Sequence, residues 1–385
     1  MNKKIVSIVS FLLILTLSFQ TFVFSQGNQN IDTTNEETPS VQKVSFLATG
    51  DNLIHGAIYV QALQRGNGTT YDFDYLYENI APFLQGYDIR YINQETLINS
   101  VYEPSTYPMF SSPPELGVTL YGLGFRVFSI SNNHTYDKGA GGVAATLDYW
   151  QSMPDDIYLT GLYTDEANYF NFPIYRINGI TFAFFAYTEH TNGLPTPHNA
   201  NAHVIYVADE ETLEKQIRFA NLLVDVVVVI PHWGIEGTHV VSEAQRTLAE
   251  KMNGWGTDII LGSHPHVLQE IEWIVNEESS EKTLVIYSLG NFVSAQSAPD
   301  NLIGGFFTFD VIKTNGMVTI ENPSLYPVIT HYGYNYSNIT AYLYTDYNQE
   351  LAALHGIRSD YPSFSYAYIK SVLENTISDE FLILA

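Results

Sequence analysis

The sequence predicts an α/β (α+β) fold in which two mixed sheets pack together with helices outside. Three observations carry that prediction. Strand-type apolar runs alternate with helix-type segments, the pattern of crossover connections. Two Asn-Gly dipeptides, Asn178-Gly179 and Asn315-Gly316, sit between apolar runs and mark antiparallel hairpins, which a single parallel sheet does not accommodate. Val226 to Ile230 is apolar throughout, as a strand buried on both faces must be.

The elements follow in order. Residues 44–49 read as a strand, 75–84 as a helix and 89–92 as a short strand; the Pro-rich stretch 103–114 reads as a loop. Next come a helix over 116–123, a strand over 126–130 and a helix over 140–150. The first hairpin joins 174–177 to 180–187. Residues 210–222 and 242–253 fit helices, and 224–230, 258–261 and 284–288 fit strands. The second hairpin joins 305–312 to 317–320, and a late helix covers 365–374.

Residues 1–25 read as a secretory signal. Lys3 and Lys4 are basic, an uncharged apolar core runs from Ile5 to Phe19, and Val23-Phe24-Ser25 precedes a cut ahead of Gln26. The core is short for a membrane span, which takes roughly 20 apolar residues, so a retained membrane anchor is the rival reading. The expected location is therefore extracellular or at the cell surface. Residues 26–43 are polar and read as a flexible linker, with the folded body over 44–300 and a C-terminal hairpin and helix over 301–385 completing the sandwich. The chain has no cysteine, which excludes disulfides, a thiol nucleophile and a lipid-modified cysteine. Its formal charge of −25 argues against nucleic acid as a partner. The 28 Tyr and 22 Phe fit strand preference, since aromatics suit half-buried pleated surfaces; a carbohydrate-stacking surface is the rival reading.

Chemistry concentrates in polar turns that follow apolar runs. Asp51 follows residues 44–50, and Glu95 closes Asn93-Gln94-Glu95. Asn133 and His134 follow Val127 to Ile130, His232 follows Val226 to Ile230, and His264 and His266 lie in Gly262-Ser263-His264-Pro265-His266. Carboxylate, amide oxygen and neutral imidazole are the ligand set of a hydrolytic divalent-metal site, and strand ends are where an α/β scaffold gathers distant residues. The His-x-His spacing is the most specific signal, because in an extended segment both rings lie on one side. His134, beside Asn133, reads as a general acid or transition-state donor rather than a ligand, and Glu95 as a bridging ligand. His55 faces the site if a helix starts there, and the stretch around His190 lines it. No P-loop, Gly-rich dinucleotide turn, Gly-x-Ser-x-Gly elbow or His-Glu-x-x-His helix occurs.

As a set, these turns, together with Tyr287-Ser288-Leu289-Gly290-Asn291-Phe292, resemble the CapA (PgsA) family of poly-γ-glutamate capsule biosynthesis proteins, itself similar to calcineurin-like metallophosphoesterases. Residues 325–329 resemble that family's closing strand more loosely. The resemblance implies a four-layer αββα sandwich with one or two divalent metal ions (Mn, Zn or Fe) at the strand ends. It would give Asp51 and His266 to one ion, Asn133, His232 and His264 to the other, and Glu95 to both, with His134 protonating the leaving group. Two positions depart from the metallophosphoesterase pattern: Leu53 stands where the first turn usually carries His, and Glu95 where the second carries Asp. The implied function is capsule polymer synthesis or export with a metal-dependent, phosphoesterase-like hydrolase site acting on a polyanionic or phosphorylated substrate. The alternative is a non-catalytic, polyanion-binding partner of a membrane polymer synthase.

Overall fold

The computed structural model describes residues 41–276 and 280–385; the signal and most of the linker expected from the sequence lie outside them. Fourteen strands occur among the described residues. The first seven are β1 (Val41–Asn52), β2 (Ile89–Gln94), β3 (Val127–Ser129), β4 (Tyr158–Thr160), β5 (Tyr175–Ile177), β6 (Ile180–Thr188) and β7 (Val226–His232). The rest are β8 (Ile259–Leu261), β9 (Ile271–Val275), β10 (Lys282–Ile286), β11 (Asn291–Val293), β12 (Ile303–Thr314), β13 (Met317–His331) and β14 (Thr340–Leu343). They form two mixed sheets. The first runs β14-β13-β12-β1-β2-β3-β4, with β11 also paired to β1; the second runs β5-β6-β7-β8-β10-β9.

The layers follow from side-chain alternation. Phe46 on β1 meets Phe184 on β6 across the sheets at 6.3 Å between ring centroids, in the core shared by both. On the outer face of the second sheet, Val227, Val229 and Phe185 pack against Leu213, Ile217, Leu248 and Met252 of helices Glu210–Asn221 and Glu243–Trp255. Every residue of β7 is buried. Burying each aliphatic side chain there contributes about 1.5–3 kcal/mol, which explains an apolar run with no alternation. Helix Glu243–Trp255 opens with a capping box between Ser242 and Gln245 and stops at Gly256, whose φ is 100°.

Several expectations are corrected. The folded body includes residues 41–43, expected as linker, because Val41, Gln42 and Lys43 pair with Thr314, Lys313 and Ile312 of β12. The helix expected over 75–84 is two short ones, Asp74–Tyr77 and Ala81–Leu84, because Pro82 lacks the N–H that a continuous helix needs. The helix Gly56–Arg65 and strands β4, β9, β11 and β14 add to the elements read from sequence. No helix among the described residues is long and apolar enough to cross a membrane.

Register sets up the site. Asp51 lies opposite Asn93 of β2 and Asn291 of β11, and Asn93 opposite Ser129 of β3. In the second sheet His232 bridges to Ser263. Gly50 permits a close backbone approach: a Cβ there would lie 1.9 Å from the Gly290 carbonyl oxygen, which accepts from the Asp51 N–H at 2.9 Å. Gly50→Ala is therefore expected to destabilise the chain by about 3 kcal/mol through overpacking against backbone. Chemical denaturation checks this; an unchanged midpoint would contradict the packing.

Candidate metal centre

Six side chains from the two sheets converge at the carboxyl ends of their strands. The first sheet sends Asp51, Glu95 and Asn133, and the second sends His232, His264 and His266, all buried. His266 Nδ1 lies 3.1 Å from Asp51 Oδ2, and its Nε2 lies 3.6 Å from Glu95 Oε1. Asp51, Glu95 and His266 hold ligand atoms within 4.8 Å of one another. His232 Nε2 is 3.0 Å from Asn133 Oδ1, 3.1 Å from His264 Nδ1 and 3.8 Å from Glu95 Oε1.

The protonation pattern shows what the cluster lacks. Burial, and then the neighbouring His264, push His232 well below its ordinary range. Burial and His266 lower His264 to about 3. Both rings are therefore neutral at pH 7, with lone pairs free to bind. His232 Nδ1 lies 2.9 Å from Ser263 Oγ; the tautomer with its proton on Nδ1 donates there and turns an Nε2 lone pair into the cluster, toward Asn133 Oδ1. Glu95 is buried with neither carboxylate oxygen hydrogen-bonded. A buried carboxylate without a donor costs several kcal/mol unless a cation compensates it. The residues present thus fit a divalent metal: carboxylate, amide and imidazole donors of electron pairs converge there, and both Glu95 oxygens lack a hydrogen-bond partner.

The remaining proton logic agrees. Burial pushes Glu95 well up. Burial opposes a raised His266, but Glu95 and Asp51 outweigh it and hold the ring up at about 10. Both shifts run upward, so the metal-free cluster keeps protons that a cation would displace.

Supporting residues orient the ligands. Asn93 Nδ2 donates to Asp51 Oδ1 at 2.7 Å while its own Oδ1 accepts from Ser129 Oγ at 2.8 Å. Asn291 Oδ1 is 3.0 Å from His266 Nδ1, so the turn read only as shaping the site also touches one of its convergent side chains. His134 Nδ1 lies 2.8 Å from Asp137 Oδ2, which also accepts the Phe110 N–H at 2.5 Å. That carboxylate holds the Nδ1–H tautomer and leaves Nε2 free to exchange a proton. Asp137 was missed in the sequence; its signal was a carboxylate three residues beyond His134.

One expectation about geometry is corrected. His264 and His266 do not share a side of an extended segment. Both have left-handed backbones, with φ of 98° and 58°. Such strain costs about 1–3 kcal/mol per residue and collects at functional sites. A tight turn aims the rings inward, with centroids 6.0 Å apart. His55 stands just before helix Gly56–Arg65, with Nδ1 3.1 Å from the Leu53 carbonyl and its ring edge-on to Phe110, and is not among the convergent ligands. His190 is exposed and packs edge-on against His264 at 5.0 Å. Leu53 is buried and offers no ligand atom. One further carboxylate, Glu236, reaches the cluster beside His264 and His266.

Known proteins resemble the chain over the same region. Residues 45–296 match the family described as bacterial capsule synthesis protein PGA_cap. Over 174 residues the chain is 35% identical to the PGA biosynthesis protein CapA of Bacillus subtilis (strain 168), covering 45% of this chain and 44% of that protein. Over 238 residues it is 29% identical to the capsule biosynthesis protein CapA of Bacillus anthracis, covering 59% and 55%. The chain thus spans about half the length of the curated relatives it matches. Solved structures that overlay on it include a phosphatase from Mycoplasma pneumoniae, with 12% identity, a TM-score of 0.47, and coverage of 75% of this chain and 95% of that one. Another is the NAD nucleotidase of Haemophilus influenzae, with 12% identity, a TM-score of 0.40, and coverage of 87% and 60%.

Proposed function

The chain belongs to the bacterial capsule synthesis protein family PGA_cap, and on that premise we propose that it is an exported protein acting in poly-γ-glutamate synthesis or export through a metal-dependent hydrolase site of phosphoesterase type. The observation that carries the reading is the buried Glu95 carboxylate, unbonded at both oxygens and faced by imidazoles from the other sheet. Asp51, Glu95 and His266 would hold one divalent ion; Asn133, His232 and His264 would hold a second, with Glu95 between them. Such ions, when bound, polarise a phosphoryl oxygen and lower the pKa of water so that hydroxide is available at neutral pH. His134, fixed through Nδ1 by Asp137, presents Nε2 to the oxygen of the leaving group and gives it a proton. A net charge of −25 repels polyanions at long range, so the attraction for a phosphorylated or polyglutamyl substrate must be local, at the metal centre.

The test is hydrolysis of a generic phosphodiester by the purified chain with added Mn²⁺ or Zn²⁺. We expect turnover, and we expect Asp137→Asn to lower kcat by roughly 10–100-fold with the metal count unchanged. The absence of a ligand at Leu53 favours the second reading, a polyanion-binding partner of a membrane polymer synthase. Bound metal without turnover, with poly-γ-glutamate binding lost in His264→Ala, would establish that reading instead.

A further inference from the structure

We propose that Glu236 is a metal ligand, completing with Asp51, Glu95 and His266 the half of the centre that Leu53 leaves short. This rests on the metal-centre reading above. Glu236 brings a carboxylate oxygen into a group with ring nitrogens of His264 and His266 in which all ligand atoms lie within 4.8 Å of one another. His266 links this group to the Asp51–Glu95–His266 group and His264 links it to the second ion's set, so Glu236 stands where the two halves meet. Among the described residues Glu236 has no hydrogen bond or ion-pair partner.

The loop that carries it is built to present it. Gly234 and Gly237, with φ of 91° and 74°, turn the chain on either side of Ile235 and Glu236, a backbone that glycine adopts without strain. The Gly234 N–H donates to Glu189 Oε2 at 2.8 Å, and the Gly237 N–H donates to the Pro265 carbonyl at 2.8 Å. The second bond ties the loop to the residue between the two histidines, so Glu236 moves with the rings it faces. Ile235 points its 63% exposed side chain away. The half-centre so completed has three carboxylates and one imidazole, a hard, oxygen-rich set suited to Mn²⁺ or Mg²⁺. The other half keeps two imidazoles and an amide.

The test counts Mn²⁺ bound by the purified full chain, by calorimetry and elemental analysis after stripping with chelator. Two ions per chain are expected for the unaltered protein. Glu236→Ala and the size-preserving Glu236→Gln should each bind one ion tightly, with affinity for the second down by roughly 100-fold and circular dichroism unchanged. Two ions bound with unaltered affinity in both variants would overturn the proposal while leaving the metal centre intact. A single ion in the unaltered chain, undiminished in the variants, would overturn it as well. An unaltered chain that binds no metal would overturn the centre itself.

Discussion

His232→Ala is expected to remove one divalent ion per chain and to lower phosphodiester turnover by roughly 1,000-fold or more, beyond the ten- to hundredfold that loss of a residue supporting a ligand costs. His232 has no redundancy. Its Nε2 lies within 3.1 Å of both Asn133 Oδ1 and His264 Nδ1 and also approaches Glu95, so it is the point at which the two sheets meet. Alanine would leave Asn133 and His264 facing an emptied pocket with one ligand gone from the neutral half. The ring also stands at the end of a fully buried strand, so some loss of stability will accompany the loss of metal. Calorimetric titration with Zn²⁺ or Mn²⁺, alongside steady-state kinetics, checks both effects. Retention of full metal content would show that His232 is only a packing residue.

Glu95→Gln should act in opposite directions on the metal-free and metal-loaded chain. Without metal the variant should be more stable, by about 1–3 kcal/mol, because an amide replaces a buried carboxylate that has no donor at either oxygen. With metal it should be weaker, losing on the order of 100- to 1,000-fold in affinity as the carboxylate shared by both halves disappears. The pH dependence has a definite sign. Burial raises Glu95, and Glu95 with Asp51 raises His266 to about 10 against the effect of burial. Through these two groups the folded metal-free chain binds more protons than the unfolded chain, and their contribution to stability falls with rising pH; the histidines that burial holds low, His232 and His264 among them, contribute in the opposite sense below about 6.5. That fall begins above the ordinary carboxylate range for Glu95 and continues between about 6.5 and 10 for His266. Glu95→Gln should flatten it. Melting curves from pH 5 to 9, with and without Mn²⁺, read out the result; a variant less stable than the parent without metal would contradict it.

Much of the candidate centre was legible because the side chains that converge there end strands. Asp51, Glu95, Asn133 and His232 each follow an apolar run, and a buried strand fixes where its next residues go. Less legible was anything set by a loop's own path. Glu236 lies four residues beyond His232, and its reach depends on two left-handed glycines and on a hydrogen bond to Pro265. The His264–His266 turn misled for the same reason: alternation predicts an extended segment, whereas positive φ at both residues makes a turn. The two Asn-Gly hairpins were plain, since their backbone demands those residue types. Strands β4, β9, β11 and β14 were not, being three to five residues long, and β4 and β11 are held by partners distant in sequence. The helix expected over 75–84 failed locally, at Pro82.

The central claim, that two sheets close on a divalent-metal centre, is tested most directly by the metal content of the purified chain after chelation and reloading. Two ions per chain are predicted, with the count lowered by His232→Ala. No bound metal above background, at saturating Mn²⁺ and Zn²⁺, would contradict it.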